Sequence, residues 1–345
     1  MANILVCTAQ VPFASGGAER HAAGLVRELK ARGHRVDLVQ LPFKWYPREE
    51  ILLSAMSWRL VDVTEADGVK VDLVIPMKFP SYLVRHPNKV VWLIHQFRQA
   101  YDRFGTDQSD FTAGPEDTRW RELIAEADAT GLGEARKIFT NAKNTADRLM
   151  RFNRIEAEAL YHPPPLAGRY RDDGPGPYGL VVGRLDPWKR MDLAIEGAAA
   201  GRFPLVIAGA GPDEERLRKV AARTGANVDF RGAVSDEELL SLYAGCGAVL
   251  FTPADEDYGY IALEAFLSKK AVVTCTDSGG PLEFVVDGET GRVTEPSGPA
   301  VGAAAAALLA APALARGMGE KGFEAVRGIS WEGVVTALLR AGGLS

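Results

Sequence analysis

Short apolar runs alternate with amphipathic stretches of helical length along the chain, and this alternation leaves few folds open. In the first half the expected strands are Ile4–Cys7, Val36–Leu41, Val69–Pro76, Lys89–His95 and Lys137–Asn141. The expected helices there are Ala18–Arg32, Trp120–Arg136 and Asn144–Phe152, with a loop over Pro12–Gly17. The pattern stops at Tyr161-His-Pro-Pro-Pro165 and at Asp172–Pro177, where stacked prolines and glycines read as a linker. It then restarts, with strands over Gly179–Val182, Pro204–Ala208, Val228–Arg231, Ala248–Phe251 and Ala271–Thr274. Helices are expected over Met191–Ala200, Asp213–Thr224 and Asp236–Ala244, behind Gly259, and after Asp277–Pro281. Strands apolar on both faces are the habit of parallel sheets covered by crossover helices. The expectation is an α/β protein of two Rossmann-like, doubly wound domains, residues 1–165 and 166–328, facing across a cleft. A length of 345 residues suits two domains. The stretch 96–118 carries no clear period and reads as a mobile or acceptor-shaping segment; no element is assigned over 42–65.

Charge narrows the function classes. The net charge of −5 excludes the basic footprint of a nucleic-acid binder. Its distribution is uneven: residues 1–165 hold 22 Lys+Arg against 21 Asp+Glu, and the remainder 18 against 24. The arginines of the first half (Arg20, Arg27, Arg32, Arg35, Arg98, Arg103, Arg119, Arg121) are either a solvated face or a face toward anionic lipid or an acidic acceptor. Cys7, Cys246 and Cys275 lie in or beside apolar strands without metal spacing, which suits free thiols in a reducing compartment. No signal peptide precedes the strand at Ile4, so a cytoplasmic setting is expected, with peripheral contact at the inner membrane face as the variant. Pro296–Ala315 has no charge, but alanine drives membrane insertion poorly and its prolines limit the helix to about three turns.

The stretch Phe251–Leu267 concentrates the chemistry. A strand leads through a polar loop to Gly259 and an almost wholly apolar helix that nevertheless contains Glu264, with Glu256 in the loop before it. A carboxylate among apolar neighbours needs a partner. A structural ion pair and a ligand site at the carboxyl end of a strand both stay open from the residues alone. Gly183-Arg-Leu-Asp-Pro-Trp-Lys-Arg190 places Arg184, Lys189 and Arg190 after the first strand of the second half, as a phosphate clamp or as surface ion pairs. Gly16 and Gly17 open the first helix, where backbone amides meet anions, but Gly-x-Gly-x-x-Gly is absent there, and Gly209-Ala-Gly211 is only a partial match. His95 ends the most apolar strand. His21, His34 and His86 have weaker cases, and no histidine pair has metal-ligand spacing. Asp255 and Asp257 would suit a divalent cation, an alternative to the cationic side chains; Ser278 lacks the nucleophile-elbow pattern.

Together these residues resemble family 4 of the retaining nucleotide-sugar glycosyltransferases, which have the GT-B fold. The matching pieces are Gly16-Gly17-Ala-Glu19, Asn141–Arg148, Val182–Lys189, Ala208–Pro212, the Glu256/Glu264 pair and Asp277–Glu283. The resemblance implies that Arg184 and Lys189 clamp the donor diphosphate, with Gly183 and Gly209 in the same loops. It implies that Glu256 contacts sugar hydroxyls and Glu264 the ribose. Gly16, Gly17 and His95 would act on the phosphate and the transferred sugar, and backbone around Arg231–Val234 on the base. Residues 329–345, around Trp331, would form a helix crossing back to the first domain. The acceptor, a saccharide, lipid-linked or small molecule, would be read by the two stretches without a family pattern.

Departure of a nucleoside diphosphate develops negative charge. Arg184, Lys189 and the helix amino terminus at Tyr258, Gly259, Tyr260 and Ile261 would stabilise it without metal or cofactor. The implied course is attack on the leaving-group face with retention, under domain closure that excludes water. A nucleotide-sugar 2-epimerase and a catalytically silent nucleotide-sugar-binding protein are the alternative readings.

Overall fold

A computed structural model describes residues 1–13, 16–107 and 109–344. The expected loop Pro12–Gly17 includes Ala14 and Ser15, and the expected segment 96–118 includes Gln108; these three lie outside the described residues. The chain divides into two compact units, Met1–Pro165 with Ser330–Ser345, and Leu166–Ile329.

In the first unit β1 (Asn3–Gln10), α1 (Gly17–Ala31) and β2 (Arg35–Pro42) form a parallel crossover, followed by α2 (Glu49–Leu60) and the small strands β3 (Glu65–Ala66) and β4 (Val69–Lys70). Then come β5 (Leu73–Pro76), β6 (Val90–Leu93), α3 (Pro115–Gly133), β7 (Lys137–Thr140), α4 (Lys143–Asn153) and β8 (Glu158–Ala159). Parallel pairing runs β2-β1-β5 and β6-β7-β8, and bridges Val74↔Lys89 and Lys78↔His95 join β5 to β6. Strand residues alternate between two buried faces. Ile4, Val6, Val90 and Trp92 pack on one side with Leu25 and Leu29, while Cys7, Val91 and Leu93 pack on the other with Ile51 and Ile124. This is why the strands read as unbroken apolar runs.

The second unit holds β9 (Gly179–Val182), α5 (Met191–Gly201), β10 (Leu205–Ala208), α6 (Glu214–Thr224), β11 (Val228–Gly232), α7 (Asp236–Gly245) and β12 (Ala248–Leu250). It continues with α8 (Tyr260–Leu267), β13 (Val272–Cys275), β14 (Gly291–Thr294), α9 (Gly298–Ala310) and α10 (Pro312–Val326). Its six parallel strands run β11-β10-β9-β12-β13-β14, the Rossmann order with the switch point between β9 and β12.

Four expectations need correction. Val69–Pro76 is two strands, because Asp67 and Gly68, both with positive φ, turn β3 back onto β4 before β5 begins. The unpatterned stretch 42–65 contains α2, whose apolar residues lie on all sides: Ile51, Ala55 and Trp58 are buried while Leu53, Met56 and Leu60 are exposed, so no single stripe marks it. The third helix of the first unit starts at Pro115, a residue suited to a first turn, and not at Trp120. Only a 3₁₀ turn, Gly280–Glu283, follows Asp277–Pro281. Segment 96–118 is folded onto 42–48: Trp45 Nε1 donates to Asp110 at 3.0 Å and Arg48 pairs with Asp117 at 2.9 Å. Among the described residues no single helix is long and apolar enough to cross a membrane.

The last helix, α11 (Trp331–Ala341), belongs to the first unit. Trp331 lies against Gly24 of α1, where an added Cβ would come within 2.7 Å of the indole. His21 stacks on His162 at 3.7 Å, and both rings meet Trp92 and Trp331. Glu332 pairs with Arg32 at 2.9 Å, and Asn88 Nδ2 donates to the Gly342 carbonyl.

Burial holds His21 down at about 3; burial and then the neighbouring His21 hold His162 well below the usual imidazole range. Both are neutral when folded and gain protons only on unfolding as pH falls below about 6.5, so stability is complete above that pH and declines below it. Each pH unit below about 6.5 should remove about 1.4 kcal/mol per histidine. Urea unfolding at pH 7.5 and 5.0 should show this loss, and the pair of changes His21→Phe and His162→Phe should flatten it; an unchanged slope would count against the cluster as its source.

Candidate functional site

Two groups of the expected residues assemble, one in each unit. In the second unit β9 and β12 are hydrogen-bonded neighbours, so their carboxyl-terminal loops lie side by side. Lys189, from the first loop, forms an ion pair with Glu256 from the second, and its ammonium stands 5.8 Å from the Phe251 ring centre. Asp186 caps the turn before Lys189, accepting from the Trp188 amide at 3.1 Å. Arg184 is exposed and, among the described residues, has no ion-pair or hydrogen-bond partner.

Arg190 does not join them as a third cation for a ligand. Its Nε donates to the Thr252 carbonyl at 2.9 Å and Nη2 to the Pro253 carbonyl at 2.7 Å. Both terminal nitrogens also hold Asp277, at 2.7 and 2.6 Å. Arg190 therefore ties together the loops after β9, β12 and β13. It does so from a left-handed backbone (φ 45°), a conformation that costs free energy in a non-glycine residue and persists where surroundings impose it. The loop carrying Glu256 is also paired with 277–280: the Asp255 amide donates to Asp277, Glu256 to Ser278 and Gly280 to Glu256.

Gly259, at φ 83°, turns this loop into α8, whose first residues Tyr260 and Ile261 follow directly; Tyr258 is buried and meets Tyr260 edge-on at 5.4 Å. Glu264 lies one turn further, buried, and accepts a hydrogen bond from the Tyr243 hydroxyl at 2.7 Å. A neutral donor at this distance satisfies one carboxylate oxygen in an apolar helix. Burial and the Glu264 charge push the Tyr243 hydroxyl well above its usual range, so it stays a donor.

The glycines divide by cause. An added Cβ on Gly209 would fall 1.8 Å from the Gly183 carbonyl oxygen, so these two loops touch through bare backbone. Arg231 pairs with Asp229 at 2.7 Å and Glu238 at 3.5 Å, while the Gly232 carbonyl beside it accepts from Gly209; Val234 is half-buried. Among the described residues no three His, Cys, Asp or Glu converge as a metal-holding group. The three cysteines are buried free thiols, with Cys7 and Cys246 pushed up to about 12 chiefly by burial.

In the first unit Glu19 organises the head of α1. It accepts from the Gly16 amide at 2.8 Å and pairs with Lys78 at 2.8 Å. The first amide of the glycine pair is thus answered by the chain itself. Burial raises the Glu19 carboxyl, but Lys78 and the amides of Glu19 and Gly16 together outweigh it, and its net shift is downward. Lys78 also bridges to His95 through the backbone, which brings β5, β6 and α1 to one sheet end. The His95 Nδ1 lies 2.8 Å from the Gln96 carbonyl. A carbonyl only accepts, so Nδ1 carries the proton in the neutral ring. Lys78 escaped the sequence reading because it sits outside any glycine-rich loop; only its position two residues past an apolar strand signals it.

Residues 169–324 match the family described as Glycosyl transferases group 1. A 146-residue stretch is 27% identical to the O-antigen chain mannosyltransferase C of Escherichia coli, covering 41% of this chain and 39% of that protein. The chain therefore spans about two fifths of that relative's length. The D-inositol 3-phosphate glycosyltransferase of Corynebacterium efficiens is 24% identical over 93% of this chain and 83% of its own. The solved structure of sucrose-phosphate synthase from Thermosynechococcus elongatus is similar in fold, with a TM-score of 0.79 at 18% identity over 97% of this chain and 98% of that one.

The two arginines should separate in stability measurements. Arg190→Lys loses the planar fork and should cost about 2–3 kcal/mol in the urea unfolding of the protein. Arg184→Ala, at an exposed and unpartnered position, should stay within about 0.5 kcal/mol of wild type.

Proposed function

We propose that this chain, which matches the group 1 glycosyl transferases over residues 169–324 and has the GT-B fold, is a retaining glycosyltransferase moving a hexose from a nucleoside-diphosphate sugar to an acceptor hydroxyl. The observation that carries the reading is the Lys189–Glu256 pair at the switch point of the second sheet, with Arg184, exposed and without a partner among the described residues, in the same loop as Lys189. A surface built for stability alone has no need to hold a lysine and a carboxylate half-buried where parallel sheets bind ligands.

In this reading Lys189 and Arg184 bind the diphosphate and stabilise the charge that develops as the leaving group departs. The amino terminus of α8, at Gly259, Tyr260 and Ile261, adds its dipole to that stabilisation. Glu256 holds Lys189 in place until donor binds and then accepts from a sugar hydroxyl. Glu264, oriented by Tyr243, accepts from the ribose. The backbone at Arg231–Val234 meets the base, while Gly17, Lys78 and His95 of the first unit serve the phosphate and the transferred sugar. With Nδ1 protonated, His95 offers Nε2 as an acceptor for a sugar hydroxyl. Attack on the leaving-group face, with a diphosphate oxygen taking the acceptor proton, would retain the configuration. The reading needs no metal, since side chains supply the cations. The acceptor is a saccharide, lipid-linked or small molecule read by 42–65 and 96–118, and a peripheral membrane contact of the first unit would suit a lipid-linked one.

Arg184→Ala and Lys189→Ala should each lower turnover at least about a hundredfold, about 2.7 kcal/mol in the barrier. Wild-type turnover in either variant would sink the assignment. A thermal-shift panel of UDP, GDP, ADP, dTDP and their sugars should identify the donor, because ligand at 100 times Kd stabilises by about 2.7 kcal/mol. EDTA should leave activity intact; loss restored by manganese would favour a cation at Asp255 and Asp257. Incubation of donor alone, followed by NMR, separates transfer from 2-epimerisation.

A further inference from the structure

A buried polar chain in the first unit leads from the middle of α3 to the residue after His95. Asp128 is fully buried and accepts from two hydroxyls, Tyr82 at 2.7 Å on Oδ1 and Tyr101 at 2.6 Å on Oδ2. The Tyr101 hydroxyl accepts in turn from Asn153 Nδ2 at 3.1 Å, at the last residue of α4. The Asn153 Oδ1 accepts from Gln96 Nε2, and Gln96 has its side chain sealed from solvent. The Gln96 carbonyl is the group that His95 Nδ1 faces.

The donors along this chain all point one way. A phenol has one proton, and Tyr101, already receiving from Asn153, gives its own to Asp128. The carboxylate is therefore the sink of a directed sequence, Gln96 to Asn153 to Tyr101 to Asp128. Its surroundings are apolar: Ile124, Leu132, Phe79 and Leu83 belong to the same core, and Tyr101 packs on Phe152 at 5.6 Å. The charged groups around the chain act on its tyrosines. Lys89 holds the Tyr82 carbonyl at 3.0 Å, and Arg121 faces Tyr101. Burial raises the Asp128 carboxyl to about 7. Apolar residues of the same size would serve stability at least as well as a carboxylate so placed, which argues for a task beyond holding α3 to its neighbours.

We propose that Asp128, acting through Tyr101 and Asn153, is a positioning residue that fixes the Gln96 side chain, and with it the backbone carbonyl that His95 Nδ1 faces, and so presents His95 to the transferred sugar in its Nδ1–H form. The inference rests on the glycosyl-transfer reading, in which His95 touches that sugar. Tyr82 bonds the other oxygen of the same carboxylate and lies outside the hydrogen-bond sequence through Asn153 to Gln96, which supplies an internal control.

Tyr101→Phe and Tyr82→Phe each remove one hydroxyl from Asp128 and should lower the thermal midpoint by similar amounts. Turnover is read as nucleoside diphosphate released from the donor sugar that stabilises the protein. Only Tyr101→Phe should lower kcat, by about tenfold or more, with donor KM held within about twofold. Asn153→Leu cuts the chain while leaving Asp128 and both tyrosines intact, and should reproduce the kcat loss. Long-range ¹H–¹⁵N NMR of the histidine rings gives a readout independent of turnover. The His95 signals should report the Nδ1–H tautomer in wild type and Tyr82→Phe, and a tautomer mixture in Tyr101→Phe and Asn153→Leu. Equal kcat losses in the two tyrosine variants, or an unchanged His95 tautomer in Tyr101→Phe, would overturn the proposal. His95→Ala separates the two readings: wild-type turnover there removes His95 from the site. An inactive His95→Ala beside an unimpaired Tyr101→Phe removes only the positioning role.

Discussion

The Arg190 guanidinium is the constraint on which the second unit's site depends. Two carbonyls of the loop after β12 and the carboxylate after β13 converge on one side chain that belongs to the loop after β9. A planar fork with five donors in fixed directions can hold three loops in one arrangement, where an ammonium would not. What this holds in place is the neighbouring Lys189, the Glu256 it pairs with, and the turn through Gly259 into α8. Positive φ at Arg190 and Asp255 shows the backbone bent to meet these contacts. Arg184 stands outside the clamp. Two adjacent stretches of the same motif thus do different work, one making the site's frame and the other facing solvent.

The first unit solves a similar problem with fewer charges. Glu19 reaches both the Gly16 amide and Lys78, and so ties the head of α1 to the end of β5. The opposite face of that helix is covered by α11 through the Trp331, His21, His162 and Trp92 cluster. Both imidazoles are kept neutral by burial, so the docking of the last helix is apolar and aromatic in character. The carboxyl-terminal segment therefore finishes the core of the unit that the chain began with.

Much of the architecture was legible because it rests on local periodicity. β1, β6, β9, β10 and β13 read as apolar runs, and the glycines between strand and helix mark turns that Gly183, Gly209 and Gly259 make at positive φ. α2 was not legible, since a helix apolar on all sides has no stripe to detect. The head of α1 was partly legible: Glu19 stands two residues past the glycine pair, but its contact with Lys78 spans 59 residues. The Asp128 chain left no trace at all, because its members are scattered over three helical segments and a loop.

The residue order by itself determined the fold class, two runs of strand and helix that must bury parallel sheets, because hydrophobic period and turn chemistry act over a few residues. It also determined which side chains stand one step beyond a strand. Only the tertiary structure decided which of them meet. Arg190 and Arg184 are equal as letters, and a guanidinium becomes frame or free cation according to whether carbonyls and a carboxylate lie within 3 Å of it. Glu264 likewise could have met a cation or a hydroxyl; the packing of α7 against α8 put the Tyr243 hydroxyl there. Pairing at long sequence separation is set by how elements stack, and no local pattern encodes it.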